Sequence, residues 1–69
     1  MTVRESIFEI ALSALYELNF YLYQYWAEKL CDENENLIAE NLTDEYLYLI
    51  QLDVENQMKA AWVSYIMCH

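Results

Sequence analysis

Neither glycine nor proline occurs anywhere in these 69 residues. Those two residues are the strongest breakers and turn formers available to a chain. Tight hairpin turns need positive φ, which glycine supplies at least cost, so a meandering sheet is poorly provided for. Long helices need neither residue. The composition therefore predicts an all-α fold.

Residues 3–30 read as one long helix. On a wheel of 100° per residue, Glu5, Glu9, Ser13, Glu17, Gln24 and Glu28 gather on a narrow polar side. Ile7, Ala11, Ala14, Leu18, Tyr21 and Tyr25 make one apolar stripe. Phe8, Leu12, Leu15, Leu22, Trp26 and Leu30 make a second beside it. Together they exceed the roughly 100° apolar arc of an ordinary surface helix, which predicts neighbours on two sides.

A second helix is expected over about 44–67, with Thr43 as N-cap and Asp44 and Glu45 in the first turn, where acids suit the helix dipole. Leu47, Ile50, Val54, Met58, Ala61 and Tyr65 recur at 3–4 spacing as its inward stripe. The connection, 31–43, has room for a short third helical turn near Leu37 and Ile38. The chain thus reads as a single small domain over 1–69: a long antiparallel helical hairpin. Its surplus apolar circumference on the first helix predicts assembly as a homodimeric helical bundle. NFYLYQYW (19–26) and EYLYLIQL (45–52) also carry strand-favouring residues, and as a strand the first would put Tyr21, Tyr23 and Tyr25 on one face. Nothing nearby supplies hairpin chemistry, so the helical reading is preferred.

Charge narrows the functional classes. Twelve acids against three bases (Arg4, Lys29 and Lys59) give a formal net charge of −9. A nucleic-acid binder neutralises phosphates with Lys and Arg, so direct nucleic-acid binding is not expected, and anionic membranes would repel the chain. Basic protein surfaces are the electrostatic match. The hydrophobic share of 58% falls to about 48% once the seven tyrosines are set aside, an ordinary value. Tyrosine, enriched at protein interfaces, is the unusual component.

The N-terminal stretch places Glu5 and Glu9 where the apolar core of a secretion signal would lie. No apolar run is long enough to span a bilayer. The expectation is a cytoplasmic protein with reduced cysteines. Cys31 near the connection and Cys68 at the far end of a 24-residue helix would stand about 35 Å apart, too far for an internal disulfide. An intermolecular one remains open.

Candidate chemical sites are weak. Asp32-Glu33-Asn34-Glu35-Asn36 opens like a calcium loop, but Leu37 occupies the position that needs glycine and Thr43 that of the bidentate glutamate. Cys68-His69 offers two of the four ligands a structural zinc needs. No glycine means no phosphate-cradling loop. Neither an enzyme, nor a cofactor, nor a small-molecule substrate is expected.

The segment CDENENLIAENLTDEY (31–46) carries six acids and no base. Glu28, Asp32 and Glu33 sit at or past the C-terminal end of a helix, where acids oppose the dipole. Like charges at i,i+4, such as Glu5/Glu9 and Glu28/Asp32, cost about 0.2–0.5 kcal/mol each. Local stability would favour lysine at several of these positions, so the pattern points to a partner that reads charge. The expected partner-binding acids are Glu5, Glu9, Glu17, Glu28, Asp32, Glu33 and Glu35. Asn19 on the second apolar stripe reads either as a core residue or as a register-setting polar group at a helix–helix contact. Tyr23 and Tyr48, at the edges of the buried arcs, and Phe20, an aromatic near the polar stripe, are the expected aromatic contacts to a partner or a second copy.

Together these features predict a small acidic protein that binds and regulates another protein. Its carboxylates, about 5–6 Å apart at i,i+4, would occupy a basic groove meant for nucleic acid. In strategy and composition this is similar to the acidic inhibitors that phages direct at host nucleases; no motif identifies a family. The alternatives are a homo-oligomeric adaptor module and an antitoxin-like partner.

Overall fold

The computed structural model describes the backbone of residues 2–68 and the side chains of 2–67. Cys68 and His69 as a ligand pair, and any bond of the Cys68 thiol, lie outside the described residues. The chain forms α1 (Val3–Leu18), α2 (Phe20–Leu30), a 3-10 turn (Ala39–Asn41) and α3 (Asp44–Cys68). The described residues contain no strand; one isolated bridge joins Cys31 and Leu37. Residues 19–26, the candidate strand, belong to α2 and its cap.

The expected continuous rod over 3–30 is two helices, broken at Asn19. There the backbone is extended (φ −157°, ψ 97°). The Asn19 N–H still donates to the Leu15 carbonyl, closing α1 over 2.8 Å. Its side-chain Oδ1 then accepts from the N–H groups of Tyr21 (3.1 Å) and Leu22 (3.3 Å), opening α2. One residue ends one helix and caps the next. Asparagine is among the strongest N-caps because its oxygen satisfies donors that a first turn leaves bare. The reversal that glycine commonly serves is achieved here by a side chain.

Cross-helix bonds fix the arrangement. At the start of α1, Arg4 donates to the Leu42 carbonyl (2.9 Å) and pairs with Asp44 (2.6 Å) at the start of α3. At the other end Asn19 Nδ2 donates to Gln57 Oε1 over 3.4 Å. Hence α3 runs alongside α1 in the same direction from Asp44 to Gln57. α2 returns from Asn19 to the Arg4 end, where the carbonyl of Lys29 accepts from Asn41 Nδ2 (3.0 Å) and that of Leu30 from the Ile38 N–H (2.8 Å). The body is a three-helix bundle rather than a two-helix hairpin.

Its core is Phe8, Ala11, Leu12 and Leu15 of α1, Trp26 and Leu30 of α2, Leu42, and Ile50 of α3. Full burial of a side chain such as Phe8, Leu15, Leu30 or Ile50 contributes about 1.5–3 kcal/mol each. All but one residue of the second sequence stripe are buried, and that one, Leu22, packs against the core. The first stripe divides: Ala11 is buried, whereas Tyr21 and Tyr25 are exposed. Folding α2 back on α1 lets the second stripe of the two halves be covered within the chain, while Ile10, Leu18, Tyr21 and Tyr25 stay exposed, so part of the apolar excess expected on the first helix remains.

A further excess lies on α3. Thr43 caps it as expected, its Oγ1 accepting from the Tyr46 N–H at 3.1 Å. Leu47, Ile50 and Val54 pack on the core. Met58, Ala61 and Tyr65, expected to continue that buried stripe, are exposed, as is every residue from 58 to 67. The reason is length. α1 and α2 meet at Asn19 opposite Gln57, and α3 continues eleven residues further, about 16 Å at 1.5 Å per residue. The long axis of the molecule is accordingly 43 Å against 22 and 18 Å for the others. Among the described residues no helix is long and apolar enough to cross a membrane.

Candidate functional site: an acidic cleft between the first two helices

Where α2 folds back beside α1, the polar faces of the two helices and the loop after α2 enclose an open cleft of about 940 Å³. Glu9 and Glu17 reach it from α1, Glu28 from α2, and Asp32, Glu33 and Glu35 from the loop. None of the three bases lines it. Arg4 is engaged with Leu42 and Asp44. The Lys29 ammonium stands 4.9 Å from the Tyr25 ring centroid and 5.7 Å from that of Tyr46, and Lys59 lies on the projecting part of α3. Six carboxylates thus share a concave surface with no cation among its lining residues, an arrangement that concentrates negative potential.

One wall of the cleft is aromatic. Tyr16 meets Phe20 edge-on (centroids 5.4 Å) and Tyr23 edge-on (5.1 Å), while Phe20 and Tyr23 stack at 5.6 Å. The helix break places these rings together: Tyr16 precedes Asn19, the other two follow it. Phe20 and Tyr16 are exposed. Tyr16 is the member not singled out from the sequence, although its i, i+4, i+7 spacing with Phe20 and Tyr23 puts all three on one helical face; the reversal brings Tyr16 and Tyr23 into direct contact.

The loop is built around Asp32. Its Oδ1 accepts from the N–H groups of Asn34 (2.9 Å) and Asn36 (3.0 Å). Its own N–H donates to the Asn36 carbonyl (2.9 Å), and its carbonyl accepts from the Glu35 N–H (3.0 Å). Glu35 takes a positive φ of 65°. The D-x-N-x-N spacing therefore serves an Asx turn. Among the described residues no group of three His, Cys, Asp or Glu side chains is placed to hold a metal ion.

Cys31 opens this loop and lines the cleft. Burial pushes its thiol pKa up, and the neighbouring carboxylates of Asp32, Glu35 and Glu9 push it further. A nucleophilic cysteine needs the reverse, an electropositive setting that favours thiolate.

Of the residues expected to meet a partner, Glu9, Glu17, Glu28, Asp32, Glu33, Glu35, Phe20 and Tyr23 share this cleft. Three do not. Glu5 serves the start of α1: Thr2 Oγ1 accepts from its N–H (3.1 Å) and donates to its carboxylate (3.2 Å). Asn19 is the pivot described above. Tyr48 lies on a second, mostly apolar groove of about 570 Å³ between α1 and α3, with Ile7, Ile10, Ala14 and Leu52.

In comparisons with known proteins, no family, curated protein or solved structure matches this chain.

Proposed function

We propose that this chain is a small cytoplasmic inhibitor or regulator that binds a basic protein surface through the α1–α2 cleft, as a nucleic-acid mimic of the kind phages direct at nucleic-acid-binding host defence proteins. The observation that carries the reading is the convergence of six carboxylates from three separate segments on one concave surface without a lining base. Carboxylates on a rigid helical frame offer a basic groove a charge array like that of a phosphate backbone, and the exposed Tyr16–Phe20 edge supplies an aromatic anchor of the type that dominates interface energetics. The role is binding rather than catalysis.

The test is a pull-down from the native host followed by salt titration of the captured complex. Charge-mimicking association weakens steeply with ionic strength. A combined Glu9→Lys, Glu28→Lys and Glu33→Lys variant should fold normally and lose the partner. Retention of the partner by that variant, or binding indifferent to salt, would refute the reading. Asp32 is left out of the set because its side chain holds the loop.

A second reading, a self-associating helical module, is supported by a different feature: ten consecutive exposed residues, 58–67, with Met58, Trp62, Val63, Tyr65, Ile66 and Met67 among them. Large exposed apolar patches mark interaction sites. The two readings are compatible, since the cleft and the projecting helix share no residues.

A further inference from the structure

We propose that α3 is the interface between two copies of this chain, paired antiparallel about a two-fold axis beside Gln57. The proposal rests on the self-association reading and is independent of the acidic cleft.

The outward face of α3 carries Tyr48, Leu52, Glu55, Lys59, Trp62 and Ile66, all exposed. Their spacing alternates four and three residues, the seam of an antiparallel coiled coil. Around the helix they are turned about 120° from the inward Leu47, Ile50 and Val54, toward the α1–α3 groove that Tyr48, Leu52 and Glu55 line. A two-fold axis beside Gln57 sets Tyr48 against Ile66 of the second copy, Leu52 against Trp62, and Glu55 against Lys59. The reciprocal contacts follow by symmetry. Both outer pairs are apolar and the central pair is oppositely charged, so one helix face complements itself.

Length agrees with this register. The fourteen residues from Asp44 to Gln57 that lie beside α1 are long enough to receive the eleven of α3 beyond Gln57. Each projection can therefore occupy the flank of the other body, and the two bodies are offset end to end rather than in collision. The flank offers a receiving surface: Trp62 and Ile66 of the second copy meet the Leu52 and Tyr48 edge of the apolar α1–α3 groove.

Area agrees as well. The chain exposes 5310 Å², whereas a compact 8.3 kDa monomer exposes about 4,600 Å². The excess of about 700 Å² is close to the roughly 800 Å² that one partner buries in a standard interface. Each copy carries a formal charge of −9, so long-range repulsion opposes pairing. Added salt screens it, and self-association strengthens where cleft binding weakens.

Sedimentation equilibrium of the full chain with Glu55→Lys, with Lys59→Glu, and with an equimolar mixture of the two tests the register. Each single variant puts like charges at both central contacts, and its self-association should weaken roughly tenfold. In the mixture, heterodimers restore both opposite-charge contacts and should recover affinity close to the unsubstituted chain. Within one helix both variants have like charges at i,i+4, so recovery on mixing can come only from between chains. A monomer at all concentrations up to about 1 mM, a millimolar Kd being the weakest association worth the name, would overturn both self-association and this register. A dimer that ignores the substitutions, or a mixture that does not recover, would overturn the register alone.

Discussion

The indole N–H of Trp26 donates to Asp53 Oδ2 over 2.8 Å, joining α2 to α3 inside the bundle. Trp26 is only 2% exposed, and its ring also meets Tyr46 edge-on at 5.6 Å. A buried indole donor requires an acceptor, and a charged acceptor makes the stronger bond. Asp53→Ala leaves the donor unsatisfied and should cost about 1–3 kcal/mol, read from chemical denaturation followed by tryptophan fluorescence. Asp53→Asn keeps an acceptor and should recover most of that loss.

Asn19 gives a second prediction. Asn19→Ala removes the acceptor for two N–H groups and the contact to Gln57. The expected loss is about 1 kcal/mol. Asn19→Asp retains the cap and should stay near the unsubstituted stability. A loss from Asp as large as that from Ala would shift the weight from the cap to the Gln57 contact.

Much of this fold was legible from residue types. The start of α1, the Thr43 cap and the bounds of α3 follow from capping and periodicity, and the stripe from Phe8 to Leu30 anticipated the core. The break at Asn19 was not legible. The stripe runs in phase through residues 15, 22 and 26, and no glycine or proline marks the reversal. An asparagine that caps a helix and one that sits within a helical contact look alike when only spacing is known. The exposure of Met58 and Tyr65 was hidden for the same reason: once the first helix folds in half, it is too short to accompany α3 to its end. Within the cleft the acids were visible as charges, but their convergence depends on that same reversal.

The loop after α2 supplies a third prediction. Glu35 holds φ at 65°, a conformation that costs a residue bearing Cβ roughly 1–2 kcal/mol. Glu35→Gly relieves this cost and should raise stability by up to about 1 kcal/mol, while removing one carboxylate from the cleft. Asp32→Ala should act oppositely, releasing the Asn34 and Asn36 N–H groups and loosening the turn. Thermal midpoints of the two variants should move in opposite directions.

Cys31 makes stability depend on alkaline pH. Its thiol pKa is raised in the folded chain, by burial first and by the adjacent carboxylates second. Folding therefore favours the protonated thiol. The contribution is fully present below the ordinary thiol value of about 8.5 and is lost as pH rises through the folded value. With Cys68 replaced by serine in both proteins, the chain retaining Cys31 should lose stability above that pH more steeply than its Cys31→Ser counterpart. The folded thiol should also alkylate more slowly than in denaturant.

The projecting end of α3 has one more consequence. An isolated helix of some eleven residues is marginal in water, and residues 58–67 of this one are all exposed. If α3 pairs as proposed, its winding is tied to encounter rather than to the folding of the body behind it. On dilution the ellipticity at 222 nm should fall while the Trp26 environment stays intact. The molecule would then register its own abundance in the shape of roughly its last three turns.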